Sequence, residues 1–329
     1  MRVPLNRAAA VAPIAGVLAA LLIAGCGGAA SGSPPPTSGT SNTTSTTTTA
    51  PLPGTGKPAV TIGDKNFTEQ FVLGELYAEA LAAQGYTVQV NQDIGPVEVT
   101  IPALTSGRLS MYPEYLGAWD YVVAHHHGGF RSAAAALIAG RRYATSRGMA
   151  LLDPTPFSDT NAIGVTLAYA QAHGLRTIGD LRSVATSLVM GGPPQFRVGR
   201  NYLPLVERVY GFTPSSYHPL DIGSQYLNLA NGTIQAAAVN TTDGELASGD
   251  YVVLSDPRNV FGWGQVVPVV PTKVLEAEGP AFAATINDVT ALLTTGVIRW
   301  LNEQVDGAHR DPVGVAREFL ETHGVIPPG

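Results

Sequence analysis

The stretch Ala59–Glu75, "AVTIGDKNFTEQFVLGE", decides how the folded part of the chain begins. It passes from a short β-branched apolar run into a cluster of Asp64, Lys65, Asn66, Thr68, Glu69 and Gln70, and then into an apolar repeat. Leu73, Leu76, Tyr77, Ala80 and Leu81 recur at the spacing of one helix face. Asn66 followed three residues later by Glu69 has the form of a capping box, so a helix is expected from near Phe67 to just before Gly85. The first N–H groups of such a helix lack intrahelical partners, and here they follow the carboxyl end of a strand, where open α/β sheets place ligands. The turn reads either as a ligand-facing corner or as an ordinary capped surface helix.

Downstream the same rhythm repeats. Tyr86, Val88 and Val90 alternate with polar neighbours as a strand, "VTIPALTSG" forms a short helix closed by Gly107, and "RLSMYPEY" runs as a strand into a loop. After a break at "DPTPFSDT" (153–160), "NAIGVT", "LAYAQAHG", "TIGDLRSVA", "TSLVMGG" and "YLPLVERVYG" alternate strand and helix again. This predicts an α/β protein with mostly parallel sheets. A second break, near Val260–Pro268, gives two crossings and hence a two-lobed layout with a hinge. One irregular α/β domain with long loops is the alternative.

Upstream of the fold the composition changes. Residues 1–25 carry Arg2 and Arg7 ahead of a nearly continuous apolar run, which is the form of an export leader. Ile23-Ala24-Gly25-Cys26 resembles a lipobox, which implies acylation of Cys26, the only cysteine in the chain. With a single cysteine, no disulfide forms within one chain. Residues 26–58 are rich in Ser, Thr, Pro and Gly and have little to bury, so they read as a flexible tether spanning about 30 Å.

Charge and motifs exclude several classes. Nineteen basic against 25 acidic residues leave a formal charge of −6, which argues against a nucleic-acid partner. No G-x-S-x-G, H-E-x-x-H, G-x-x-x-x-G-K or G-x-G-x-x-G motif is present, so no enzyme activity and no cofactor are expected. His125–His127 lack an acidic or cysteine companion at ligand spacing and read as a loop, with no metal expected.

"KNFTEQFVLGE", "ALTSGRLSMYPEYLGA", "SDTNAIGV", "GGPPQF", "DIGSQYLNLANG", "NTTDGEL" and "VFGWGQVVPVV" follow one another in an order that resembles the substrate-binding proteins of osmoprotectant ABC importers, the glycine betaine, carnitine and choline binding family. The resemblance implies a periplasmic-binding-protein-like (type II) fold with an interlobe ligand cleft. It implies lobe 1 at 59–160 plus 267–329 and lobe 2 at 161–266. It further implies a small-molecule ligand, an ABC permease with a cytoplasmic ATPase as partners, and an extracytoplasmic place at the cell membrane through the lipid on Cys26. An envelope lipoprotein without transport is the alternative of another class, and hinge closure on a ligand separates the two.

By the same resemblance, Asn66, Phe67, Thr68 and Gln70 lie at the cleft, and a cage of tyrosines in "PEYTGT", "NDTYA", "YTTDG" and "FPPY" elements holds a quaternary ammonium through its π-faces. Tyr115 keeps the first tyrosine, whereas the other three positions are Asn161, Asn240 and Gly264, and Ala118 replaces a threonine. Trp263 stands beside the last position, Thr241 and Thr242 belong to "TTDG", and the carboxylate-binding arginine is Arg197 or Arg200. Three lost cation–π contacts weaken a betaine by roughly 1.5–6 kcal/mol. Asn161 and Asn240 offer amides that a trimethylammonium leaves unpaired, at about 1–3 kcal/mol each. The residues thus favour a neutral hydroxylated or aromatic solute, and the family favours a quaternary ammonium. Tyr226 and Asp243 read as packing and capping residues rather than ligand contacts.

Overall fold

The computed structural model describes residues 50–329, and the leader, Cys26 and the tether up to residue 49 lie outside the described residues. The chain docks slightly earlier than expected. Gly54 is buried and its N–H donates to the Gln84 carbonyl at 2.9 Å. A Cβ at this position would stand 2.3 Å from the Tyr86 nitrogen, so a glycine lets the segment lie flat on the fold before Lys57.

The first lobe is built from β1 (Val60–Gly63), α1 (Thr68–Ala83), β2 (Val88–Asn91), α2 (Val97–Ser106), β3 (Tyr112–Tyr115), α3 (Leu116–Ala118) with a π-helical turn at 119–123, α4 (Ala133–Ser146) and β4 (Met149–Leu151). The second contains β5 (Asn161–Thr166), α5 (Leu167–His173), β6 (Val189–Gly192), α6 (Pro194–Val198), α7 (Leu203–Tyr210), β7 (Ser216–Pro219), α8 (Gln225–Ala230), β8 (Ala236–Asn240) and β9 (Tyr251–Val253). The chain then returns through β10 (Val266–Pro271) to α9 (Thr272–Glu278), α10 (Pro280–Leu292), α11 (Thr295–Asp306) and α12 (Pro312–Thr322).

In the first lobe β2 pairs with β1, a parallel bridge from Ile62 to Met111 joins β1 to the start of β3, and β10 lies between β3 and β4. The second sheet runs β7-β6-β8-β5-β9. The expectation of mostly parallel sheets is corrected here. β10 is antiparallel to β3 and β4, and β5 is antiparallel to β8 and β9. The reason is topological: β5 and β10 are the strands entered directly from the other lobe, so they run against their neighbours.

Each sheet is covered on both faces. α1 carries the expected stripe, with Leu73, Leu76, Tyr77, Ala80 and Leu81 buried against Phe282, Ile286, Ile298, Leu301 and Phe319 of the C-terminal helices. The opposite face of that sheet packs Leu104, Tyr112, Trp119, Val267 and Val269. In the second lobe Ile163, Met190, Phe196, Val206 and Tyr210 form one core, and Ala162, Tyr226, Leu229 and Val239 form the other. Each fully buried large side chain contributes about 1.5–3 kcal/mol. Gly107 ends α2 in the left-handed region, at φ 81°, as read from the sequence.

The start of α1 differs from the capping box. Phe67 is the N-cap and no side chain caps the helix. The Glu69 carboxylate that would have turned back to Asn66 is instead buried among groups from distant elements.

Candidate functional site: an interlobe cavity

The two chain crossings, 152–160 and 254–265, run side by side. Thr155 N–H donates to the Val266 carbonyl at 2.9 Å, Val266 N–H donates to Thr155 Oγ1 at 2.9 Å, and Asp159 N–H donates to the Gly264 carbonyl at 2.9 Å. Beside them lies a cavity of about 680 Å³, with walls from both lobes. This is the size range of small-molecule sites.

Tyr115 at the end of β3 lines the cavity with its hydroxyl already committed, donating to Glu69 Oε1 at 2.7 Å. Its ring is flanked by Phe67 at 5.9 Å between centroids and by the Lys65 ammonium at 5.9 Å. Lys65 is itself ion-paired to buried Glu114 at 2.5 Å. Burial, and then the neighbouring Glu69 and Asp159 charges, push the Tyr115 hydroxyl well above the usual tyrosine range.

Aromatic side chains extend the lining. Phe130, Tyr202, Phe261 and Trp263 face the same cavity, with Asp120, Asp159 and Arg200 as charged groups. Burial raises the Asp120 carboxyl to about 7. Behind the lining is a seam of carboxylates. Glu69 accepts from Tyr115 and, at 3.1 Å, from Asn302 Nδ2 of α11, and Asn302 Nδ2 also donates to the Thr242 carbonyl of the second lobe at 2.9 Å. Burial raises Glu69 and Asp159, and the Glu69 charge raises Asp159 further.

Of the residues expected at the site, Tyr115, Ala118, Asn161, Arg200, Trp263 and Gly264 meet in the cavity lining. Asn66, Phe67, Thr68, Gln70, Asn240, Thr241 and Thr242 are not part of it. Asn240 is the register partner of Asn161 on β8, and it stands exposed while the cavity stops at β5. Thr68 Oγ1 donates to Asp306, Gln70 accepts the Lys65 N–H, and Thr241 ties Ser158 to Thr160. Gly264 is no vacated tyrosine position, because a Cβ there would lie 1.7 Å from the Asp159 carbonyl oxygen. Arg197 faces Glu207 at 3.9 Å, whereas Arg200 lines the cavity. The sequence reading missed Phe130, Tyr202, Phe261 and Asp120; "GGF" and "RNY" stand in irregular segments, where no periodicity marks an inward side chain.

Two α/β lobes joined by a double crossing, with a lined cavity at the junction, define a solute-binding protein. The chain matches the family described as the substrate-binding domain of ABC-type glycine betaine transport systems over residues 58–322, and it belongs to that family. It is 29% identical over 279 residues to a glycine-betaine-binding protein of Pseudomonas aeruginosa, covering 82% of this chain and 89% of that one. It is 27% identical over 292 residues to the glycine betaine-binding protein YehZ of Escherichia coli, with 83% and 93% covered. A solved structure titled as a glycine betaine/carnitine/choline ABC transporter shares the fold, with TM-score 0.76 and 24% identity over 81% of this chain and 99% of that one. The protein is therefore an extracytoplasmic binding protein of a transport system and not an enzyme.

Proposed function

We propose that this chain captures a small organic solute of the osmoprotectant, quaternary-ammonium kind between its lobes and delivers it to an ABC permease powered by a cytoplasmic ATPase. The supporting observation is the aromatic-lined cavity at the lobe junction of a chain from the glycine betaine binding family. In this reading the lobes are 59–160 plus 267–329 and 161–266, and lipid on Cys26 with the tether that follows holds the domain near the membrane. Tyr115, Asn161, Arg200 and Trp263 contact the solute, with Ala118 and Gly264 as close-packed wall. Phe67, Thr68, Gln70, Thr241 and Thr242 support that wall from behind. Calorimetric titration with glycine betaine, choline and carnitine tests the reading. Micromolar binding of at least one is expected, and no heat up to millimolar concentration overturns the quaternary-ammonium class.

A neutral hydroxylated or aromatic solute is the second reading. It is favoured by the Asn161 amide on the cavity wall, a donor and acceptor that a trimethylammonium leaves unused. Polyols and phenols in the same titration decide it.

A further inference from the structure

We propose that the first lobe carries a second binding site, a groove between α2, the π-helical turn at 119–123 and α4, which takes a small amphiphile with an apolar body and a single anionic head. The site stands whatever solute fills the interlobe cavity, because the groups that select its ligand lie outside that cavity.

The groove encloses about 440 Å³, within the size range of small-molecule sites. Val97 and Met149 are its buried floor, and Ile101 and Pro102 of α2, Val123 of the π-helical turn and Tyr143 of α4 rise on three sides. Pro102, inside α2, presents an exposed apolar ring with no N–H to satisfy. Tyr143 is held edge-on to buried Trp119 at 6.3 Å between centroids, so this wall is set before any ligand arrives. Val122 lines both the groove and the interlobe cavity. The π-helical turn is thus the partition between two hollows, with Asp120 and Tyr121 on the cavity side and Val123 on the groove side. Single π-helical turns are rare and occur mostly at functional sites.

The two ends of the groove differ in charge. Arg147 lines one end, with its guanidinium over the Tyr143 ring at 5.3 Å from the centroid. Lys273 belongs to the same end: Thr272 N–H donates to the Gly148 carbonyl at 2.9 Å, and a Cβ on Gly107, where α2 stops, would lie 3.4 Å from Lys273 Nζ. Neither cation has an ion-pair partner among the described residues. Glu98, in the first turn of α2, marks the far end, about 10 Å from Thr105 at ~1.5 Å per helical residue. A guanidinium without a protein partner suits a carboxylate, and Glu98 repels a second one. The apolar walls between them reward only a ligand with apolar surface to bury, which an inorganic anion lacks. The class that satisfies floor, walls and both ends is a monocarboxylate with a short acyl or aromatic body.

The test uses methyl-labelled methionine in the full chain, held in nanodiscs of zwitterionic lipid, because Met149 lies on the groove floor while Met190 lies in the core of the second lobe. Octanoate is expected to shift the Met149 methyl resonance saturably and to leave Met190 in place. Hexanoate, two methylenes shorter, should bind about tenfold more weakly. Octanamide, which keeps the chain without the charge, should bind about two- to fivefold more weakly than octanoate, and suberate, with a second carboxylate, more weakly still. Arg147→Gln should erase the preference for octanoate over octanamide, and Ile101→Glu should abolish binding of both; an unmoved Met190 resonance and thermal unfolding verify that each variant is folded. A Met149 resonance that stays in place at millimolar octanoate, or that moves together with Met190, overturns the site. Equal binding of octanoate and octanamide in the wild type overturns the anionic head, and undiminished binding in Ile101→Glu overturns the groove as the place of binding.

Discussion

Asp64, the residue after β1, is fully buried, and neither of its carboxyl oxygens meets a hydrogen-bond partner among the described residues. The missing Cβ of Gly74 lets α1 press directly on it, since an added Cβ would stand 2.1 Å from Oδ2. Burial first, and the Glu75 charge second, push its pKa up to about 8. The folded chain therefore holds a proton that the unfolded chain releases near pH 4, and stability is greatest below that pH and falls as pH rises toward 8. Asp64→Asn removes this contribution. In urea unfolding from about pH 5 to about pH 9, the wild type is expected to lose on the order of 3 kcal/mol more than the variant. Parallel curves for the two proteins would show that Asp64 is not the titrating group.

The hinge is a pair of irregular crossing segments stitched by side chains, and Thr155 is the central stitch. Its hydroxyl is buried, donates to the Phe157 carbonyl at 2.9 Å and accepts from the Val266 N–H at 2.9 Å. Thr155→Val keeps the shape and strands a buried N–H, so it is expected to cost about 1–3 kcal/mol in chemical denaturation. Amide exchange at Val266 should speed up with it, and unchanged stability would mean that the crossings are held by packing alone. Elements with local causes were legible in the sequence: the α1 stripe and Gly107 as the end of α2. What failed was non-local. Strand direction for β5 and β10 depends on which lobe the chain has just left, and Glu69 was drawn from a cap into a seam by Tyr115 and Asn302. The site divides in the same way. Tyr115, Asn161, Arg200 and Trp263 stand in motifs that a family resemblance marks, while Phe130, Tyr202 and Phe261 are single rings that only the fold brings together.

At the scale of the whole molecule the lobes meet along a buried acidic seam. α11 of the C-terminal helices grips the second lobe: Asn302 donates to the Thr242 carbonyl at 2.9 Å and Arg299 to the Thr241 carbonyl at 2.8 Å. Gly244 makes this approach possible, because a Cβ there would lie 2.7 Å from the Glu303 nitrogen. Tyr226 donates to Asp243 at 2.8 Å, and burial raises the Asp243 carboxyl as it raises Glu69 and Asp159. Arg299, whose own pKa is lowered by burial, faces Asp243, and Asp306 and Glu245 add negative charge to that side. All three seam acids have folded-state pKa values above their ordinary ones, so the seam is most stable at low pH and is lost as pH rises through those values. Because Glu69 belongs to the first lobe, Asp159 to the crossing and Asp243 to the second, ionising them sets like charges across the junction. Small-angle scattering of the ligand-free protein should show a larger radius of gyration at about pH 9 than at about pH 5. Asp159→Asn, which removes the charge next to Glu69, should reduce that expansion. A radius independent of pH in the wild type would mean that the α11 hydrogen bonds alone fix how the lobes sit.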